Sequence, residues 1–148
     1  MEVQATILLI ENDENDVFFF RRCLGAVDAR VNVRVVTSAW QARDYMAGRA
    51  PYHDRKYYPI PDLIVTDVHL PGASGVEFVQ WLREEEKFRS LPLFTMSGSF
   101  GSGELAKAVE SGLQGHFVKT GDFEKCKGFV SQMLKHLPRE KRQGNGGS

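Results

Sequence analysis

Asp67 closes an apolar run, Leu63-Ile64-Val65-Thr66, and a Pro71-Gly72 pair stops the chain shortly after it. Such a run reads as a buried strand, and open α/β sheets collect their ligands at the carboxyl ends of central strands. A carboxylate there can serve as a hard oxygen donor to a cation or as a nucleophile toward phosphorus. A second acidic group, Glu11-Asn12-Asp13, follows another apolar run, Thr6-Ile7-Leu8-Leu9-Ile10. Ser97 follows the apolar stretch 91–96, and Lys119 follows His116-Phe117-Val118. Any one of these is ordinary, since a carboxylate at a strand end is usually a turn or cap residue and a lone lysine is usually solvated. Together they are more specific: acids, a hydroxyl and an ammonium at one sheet edge make a site for a hard cation and a phosphoryl group.

The elements that must position these groups alternate along the whole chain. Strands are predicted at 6–10, 31–36, 63–67, 91–96 and 116–119. Helices are predicted at 15–24, from a Ser38 cap to Gly48, and at 74–86, 104–111 and 123–137. In the last of these, Cys126, Phe129, Val130, Met133, Leu134 and Leu137 recur at helical spacing. Five strands alternating with five helices imply an α/β fold, a parallel sheet covered on both faces. Right-handed crossovers restrict its topology, and the flavodoxin-like order 2-1-3-4-5 places strands one, three, four and five side by side. The domain is expected over 1–137, with 138–148, charged and then glycine-rich, as a disordered tail. The longest irregular stretch, 48–62, holds three tyrosines and is read as a surface loop pinned by its aromatics, ahead of a binding role.

Composition sets the outer bounds. The chain has 148 residues, 19 basic and 19 acidic, for a formal net charge of zero. That balance favours neither nucleic acid nor an anionic membrane. No apolar run is long enough to span a bilayer, and a cytoplasmic location is expected. The two cysteines, Cys23 and Cys126, fall on apolar helix faces and are read as buried reduced thiols.

With these segments in view, the sequence resembles the response-regulator receiver (CheY-like) family from Ile7 to about Leu137. The resemblance rests on Ile7 to Asp13, Asp62 to Gly72, Leu91 to Gly98 and His116 to Lys119. Asn15-Asp16-Val17 and the long loop before the third strand resemble single-domain regulators of phytochrome-type sensor histidine kinases. The resemblance implies that Asp67 accepts a phosphoryl group from a kinase phosphohistidine, with Ser97 and Lys119 binding phosphoryl oxygens. It implies a Mg²⁺ ion held by Glu11, Asn12, Asp67 and the backbone carbonyl of His69. It makes Ser97 and His116 the switch, and the fourth helix, fifth strand and fifth helix the face for a target or a homodimer. Kinase docking would use the first helix, with Phe18 or Phe19 as candidates. A non-enzymatic signalling role follows, without nucleic-acid or membrane partners.

The pattern is broken in places. Asn12 stands where the family carries a metal-binding aspartate; it keeps an oxygen but loses the charge. Thr120 follows Lys119 in place of the usual proline, which removes the reason for a cis peptide. His69 and Ser99 occupy the two positions that tune acyl-phosphate lifetime in the family. The alternative reading is therefore a degenerate receiver, a phosphorylation-independent protein-binding module supported by Asn12 and opposed by the joint presence of Asp67, Ser97 and Lys119. A third reading, an aspartyl phosphatase, wants a second acid two residues after its nucleophile, where this chain has His69.

Overall fold

The computed structural model describes residues 4–72, 75–98 and 112–142. Five strands, β1 (Thr6–Ile10), β2 (Asn32–Val36), β3 (Leu63–Asp67), β4 (Leu93–Ser97) and β5 (Gly115–Val118), form one sheet. Its order is β2-β1-β3-β4-β5 and every pairing is parallel. Strands β1, β3 and β4 are buried along their whole length, as central strands of a sheet covered on both faces must be.

Side-chain alternation divides the core. Ile7, Leu9, Val65, Phe94 and Met96 join one cluster with Phe20, Cys23, Cys126, Val130 and Met133. Leu8, Ile10, Ile64 and Leu93 join another with Tyr45, Phe78, Val79 and Leu82. The first cluster lies under helices α1 (Glu14–Asp28) and α4 (Phe123–Leu134), the second under α2 (Ala39–Ala47) and α3 (Gly75–Glu84). Odd-numbered residues of β1 and β3 thus face α1 and α4.

Among the described residues four α-helices cover the sheet, which corrects the expectation of five. The expected helix 104–111 lies outside the described residues, as does Ser99. The count of five rests on 104–111, about two turns, the shortest stretch from which helical periodicity is read. Helix α1 in turn runs past the expected 24 to Asp28, because Val27 extends the stripe of Phe20, Cys23 and Leu24. Burial would raise the Asp28 pKa, but hydrogen bonds from the Arg30 side chain and backbone bring it below the ordinary value.

Helix ends follow their sequence signals. Asp13 caps α1 by accepting from Asn15 N (2.8 Å) and Asp16 N (3.1 Å), and Ser38 caps α2 by accepting from Gln41 N (3.1 Å). Helix α2 ends at Gly48 with φ 72°, a left-handed conformation that glycine adopts without penalty. Its last carbonyls are held by Arg55, which donates to Tyr45 O (2.8 Å), Met46 O (2.8 Å) and Tyr58 O (3.1 Å). The Tyr45 hydroxyl donates to Pro59 O at 2.8 Å, and the rings of Tyr45, Tyr52 and Tyr58 pack against one another. The 48–62 loop is therefore fastened to the body by an arginine and an aromatic cluster. After α4, Lys141 pairs with Asp62 at 2.8 Å, tying this part of the chain to the amino edge of the sheet.

Candidate functional site

Four of the sequence-marked residues, Glu11, Asp67, Ser97 and Lys119, reach the carboxyl edge because each strand delivers them there. Glu11 continues the odd register of β1, and its backbone N–H donates to Val36 O (3.0 Å). Asp67 is the last residue of β3. The Lys119 N–H donates to Ser97 O (2.8 Å), extending the β4–β5 ladder by one residue. Glu11, Asp67 and Lys119 thus fall on the sheet face that α1 covers.

The Lys119 ammonium is their meeting point. It donates to Glu11 Oε2 at 2.6 Å, to Asp67 Oδ2 at 2.8 Å and to Asp16 Oδ2 at 2.8 Å. With all three carboxylates ionised, two negative charges are left uncompensated. Burial works against the lysine's charge, but the hydrogen bonds it donates to Asp16, Asp67 and Glu11 outweigh it and hold its pKa well above the ordinary value. Burial raises the Glu11 pKa, with the nearby Asp67 charge adding to the rise and the Lys119 bond opposing it. An apolar cleft of about 90 Å³, lined by Phe19, Phe20, Met96 and Phe117 beside Asp16 and Lys119, flanks this network. Its low polarizability strengthens the ion pairs next to it.

Asp16 is the residue that reading strand ends alone does not find. It lies one helical turn before Phe20 on the stripe that continues to Cys23, Leu24 and Val27, so it heads the buried face of α1. Combining that stripe with the odd parity of Glu11 and Asp67 is the signal that would have placed it. Asn12 is exposed. Asp13 serves as the cap of α1.

The other Asp67 oxygen, Oδ1, accepts from the backbone N–H of His69 at 2.9 Å. The Lys119–Thr120 peptide is trans; Ala50–Pro51 is the cis bond among the described residues. Phe18 is 67% exposed on α1, whereas Phe19 is half-buried and meets Phe123 edge-on. Both cysteines are free and buried, and burial raises their pKa values, which suits packing better than reactivity.

On the opposite sheet face stand Ser97 and His116. Thr95 and His116 are register partners, and the imidazole bridges two β4 hydroxyls: Nδ1 lies 2.6 Å from Thr95 Oγ1 and Nε2 lies 3.1 Å from Ser97 Oγ. Burial holds the His116 pKa below the ordinary histidine value. Thr95 is a second residue the sequence did not single out, although it shares Ser97's face by simple alternation.

The donor set suits a hard cation in kind, since it consists of carboxylate, amide and carbonyl oxygens with excess negative charge. Among the described residues, however, no three acidic, histidine or cysteine side chains form a ready metal cage; the carboxylates gather around an ammonium. No helix among the described residues is long and apolar enough to cross a membrane.

Compared with known proteins, residues 7–130 match the response regulator receiver domain family. Response regulator Rre1 of Synechocystis sp. is 25% identical over 91 residues, 62% of this chain and 39% of that protein. Polar-differentiation response regulator DivK of Brucella ovis is 30% identical over 59 residues, 40% of this chain and 48% of DivK. The matched stretches span less than half the length of either relative. Among solved structures, the bacteriophytochrome response regulator RtBRR superposes with a TM-score of 0.77 at 26% identity, covering 88% of this chain and 78% of that one. The phosphorylated cyanobacterial phytochrome response regulator RcpA gives a TM-score of 0.80 at 18% identity, covering 91% and 94% of the two chains. At that identity the likeness speaks for the fold alone.

Proposed function

Because the chain belongs to the response regulator receiver family, a family of two-component signalling modules and not of enzymes, we propose that it is a phosphoacceptor switch loaded at Asp67 by a sensor histidine kinase. The observation that carries this reading is the convergence of Asp67, Glu11 and Asp16 on one lysine at the carboxyl edge, at 2.6–2.8 Å.

In the transfer, an Asp67 carboxylate oxygen attacks the phosphorus of the donor phosphohistidine in line. A P–O bond forms, giving the acyl phosphate. The P–N bond breaks, and its electron pair leaves with the donor imidazole. Asp67 Oδ1 stays anchored by the His69 N–H, which turns Oδ2 to the incoming group. Lys119 moves with it, trading its Asp67 bond for a phosphoryl oxygen while Glu11 and Asp16 keep it in place. Magnesium, when bound, supplies charge neutralisation of the phosphoryl oxygens, and Glu11, Asp67, the His69 carbonyl and the Asn12 amide oxygen would hold it.

Ser97 donates its hydroxyl to another phosphoryl oxygen, and its hydrogen-bonded neighbour His116 passes that movement to the β5 and α4 side of the molecule. That side is the face for a target or for a second copy. Exposed Phe18 on α1 suits kinase docking. The likeness to RtBRR supports a bacteriophytochrome-type kinase as the partner. The degenerate-module reading draws on exposed Asn12, but Asp16 supplies the third carboxylate that Asn12 lacks.

Intact-mass analysis after incubation with acetyl phosphate, with and without Mg²⁺ and alongside Asp67→Asn, tests the reading. A Mg²⁺-dependent phosphoryl adduct absent from the variant is expected. An unmodified mass at every Mg²⁺ concentration, repeated with a phosphorylated kinase, would leave the binding-module reading in its place.

A further inference from the structure

Strand β2 is one edge of the sheet, and its outer side is only partly closed by the chain itself. Parallel pairing turns the main chain of Asn32, Arg34 and Val36 toward β1: the Asn32 N–H donates to Ala5 O (2.8 Å), and Val36 O accepts from the Glu11 N–H (3.0 Å). The main chain of Val33 and Val35 therefore points away from the sheet. On either side of this stretch the N–H groups are occupied. Val31 donates to Asp28 O (3.4 Å) and Thr37 to Gln41 Oε1 (2.7 Å). Between them, no group among the described residues meets the N–H or C=O of Val33 or Val35. The fold caps its edge at both ends and leaves a short slot open in the middle.

Sheets commonly blunt such an edge with charge, proline, a bulge or a covering loop. The charge here is Arg34, which stands on the α2 face of the strand and lies over the rings of Tyr57 (5.1 Å) and Tyr58 (5.9 Å). No carboxylate among the described residues pairs with it. Its Nε is buried with no hydrogen-bond partner, a cost that an incoming acceptor would relieve. Tyr57, the ring beneath the guanidinium, is 62% exposed, so the cation is held at the surface by an aromatic and not locked into the core.

We propose that this edge docks an extended segment of another protein, paired to Val33 and Val35 as a sixth strand and carrying a carboxylate level with Arg34. Pairing geometry sets the chemistry of that segment. In either strand direction, one of its side chains stands beside Arg34, and the two neighbours stand on the opposite face, beside Val33 and Val35. The first position calls for aspartate or glutamate, and the other two for apolar, β-branched side chains. A second copy of this chain fits poorly. A two-fold dimer runs β2 antiparallel to itself, and the register that uses both Val33 and Val35 sets Arg34 opposite Arg34 of the second copy. Like charges directly opposite destabilise a strand pair. The proposal does not depend on phosphorylation of Asp67.

The test uses the ¹⁵N-labelled full chain and two capped five-residue peptides. Each has threonine at both ends and two valines around a central residue, glutamate in one and lysine in the other. In the free chain the Val33 and Val35 amides are expected to exchange rapidly with solvent. The glutamate peptide should slow both and shift their resonances, and should bind about threefold to tenfold tighter than the lysine peptide, the worth of one cross-strand charge pair. Arg34→Glu should reverse that order, and the wild-type comparison decides by itself if this variant does not fold. Equal binding of the two peptides, shifts that avoid β2, or no binding at millimolar peptide would overturn the proposal. Slow exchange of Val33 and Val35 in the free chain would overturn it as well, and if that protection grows with protein concentration the edge belongs to a second copy.

Discussion

Lys119 and Arg55 each hold three acceptors, and they are built for opposite ends. Lys119 gathers three carboxylates from β1, α1 and β3. Arg55 gathers three backbone carbonyls, two from the end of α2 and one from its own loop. Arg55 meets dipoles that cannot be replaced or recharged, in a fixed fork that suits them. Its bonds close a helix end and leave nothing to exchange. Lys119 meets full charges in excess of its own, on a compact ammonium that can slide between partners. One network is finished and the other is poised, because its surplus negative charge invites another cation.

The sharpest way to break the comparison is to remove each cation in turn. Lys119→Met leaves three carboxylates facing one another and should cost about 3 kcal/mol in urea unfolding without divalent ions. Mg²⁺ should stabilise this variant more than it stabilises the wild-type chain, by binding the folded state preferentially. Arg55→Met should cost about 2 kcal/mol through the unpaired carbonyls. Mg²⁺ should add no more to it than to wild type. An equal Mg²⁺ increment in both variants would erase the distinction.

A smaller effect sharpens the structural side. Tyr45→Phe loses the bond to Pro59 and should cost about 1 kcal/mol at neutral pH. Burial raises the Tyr45 pKa from 10.0 to about 12. The unfolded chain releases this proton first, so stability is complete below pH 10 and declines as pH rises toward 12. That alkaline decline should be shallower in Tyr45→Phe, as read from thermal melts across the window.

The smallest effect belongs to Asp16→Asn. Asp16 is the most exposed of the three carboxylates, with 37% of its side chain accessible. Losing its pair with Lys119 while relieving repulsion should change stability by less than about 1 kcal/mol. The Mg²⁺ increment should nevertheless shrink, because one of the surplus charges is gone.

The two networks were unequally legible in the sequence. Glu11, Asp67 and Lys119 could be read because each ends an apolar run, and the sheet order puts those runs side by side. Asp16 could not be read from strand ends, since its place depends on which face of α1 meets the sheet. The Thr95–His116 contact depends on the register between two strands joined by a long crossover, which local pattern does not encode. Arg55 looked like any loop arginine; its role follows from where the loop folds back, set by tertiary packing of the tyrosines. The count of five helices leaned on 104–111, a stretch of about two turns, too short for periodicity to carry alone.

Gly75 opens α3 directly beneath the strand that carries Asp67, and its N–H donates to Val68 O at 3.1 Å. A β-carbon at this position would collide with the Asp67 backbone carbonyl. A saturation survey scored by signalling output should therefore show position 75 as intolerant as position 67, though no atom of Gly75 takes part in the chemistry. Steric exclusion beside a nucleophile imitates a functional residue, and only a folding assay run next to the signalling assay would separate the two.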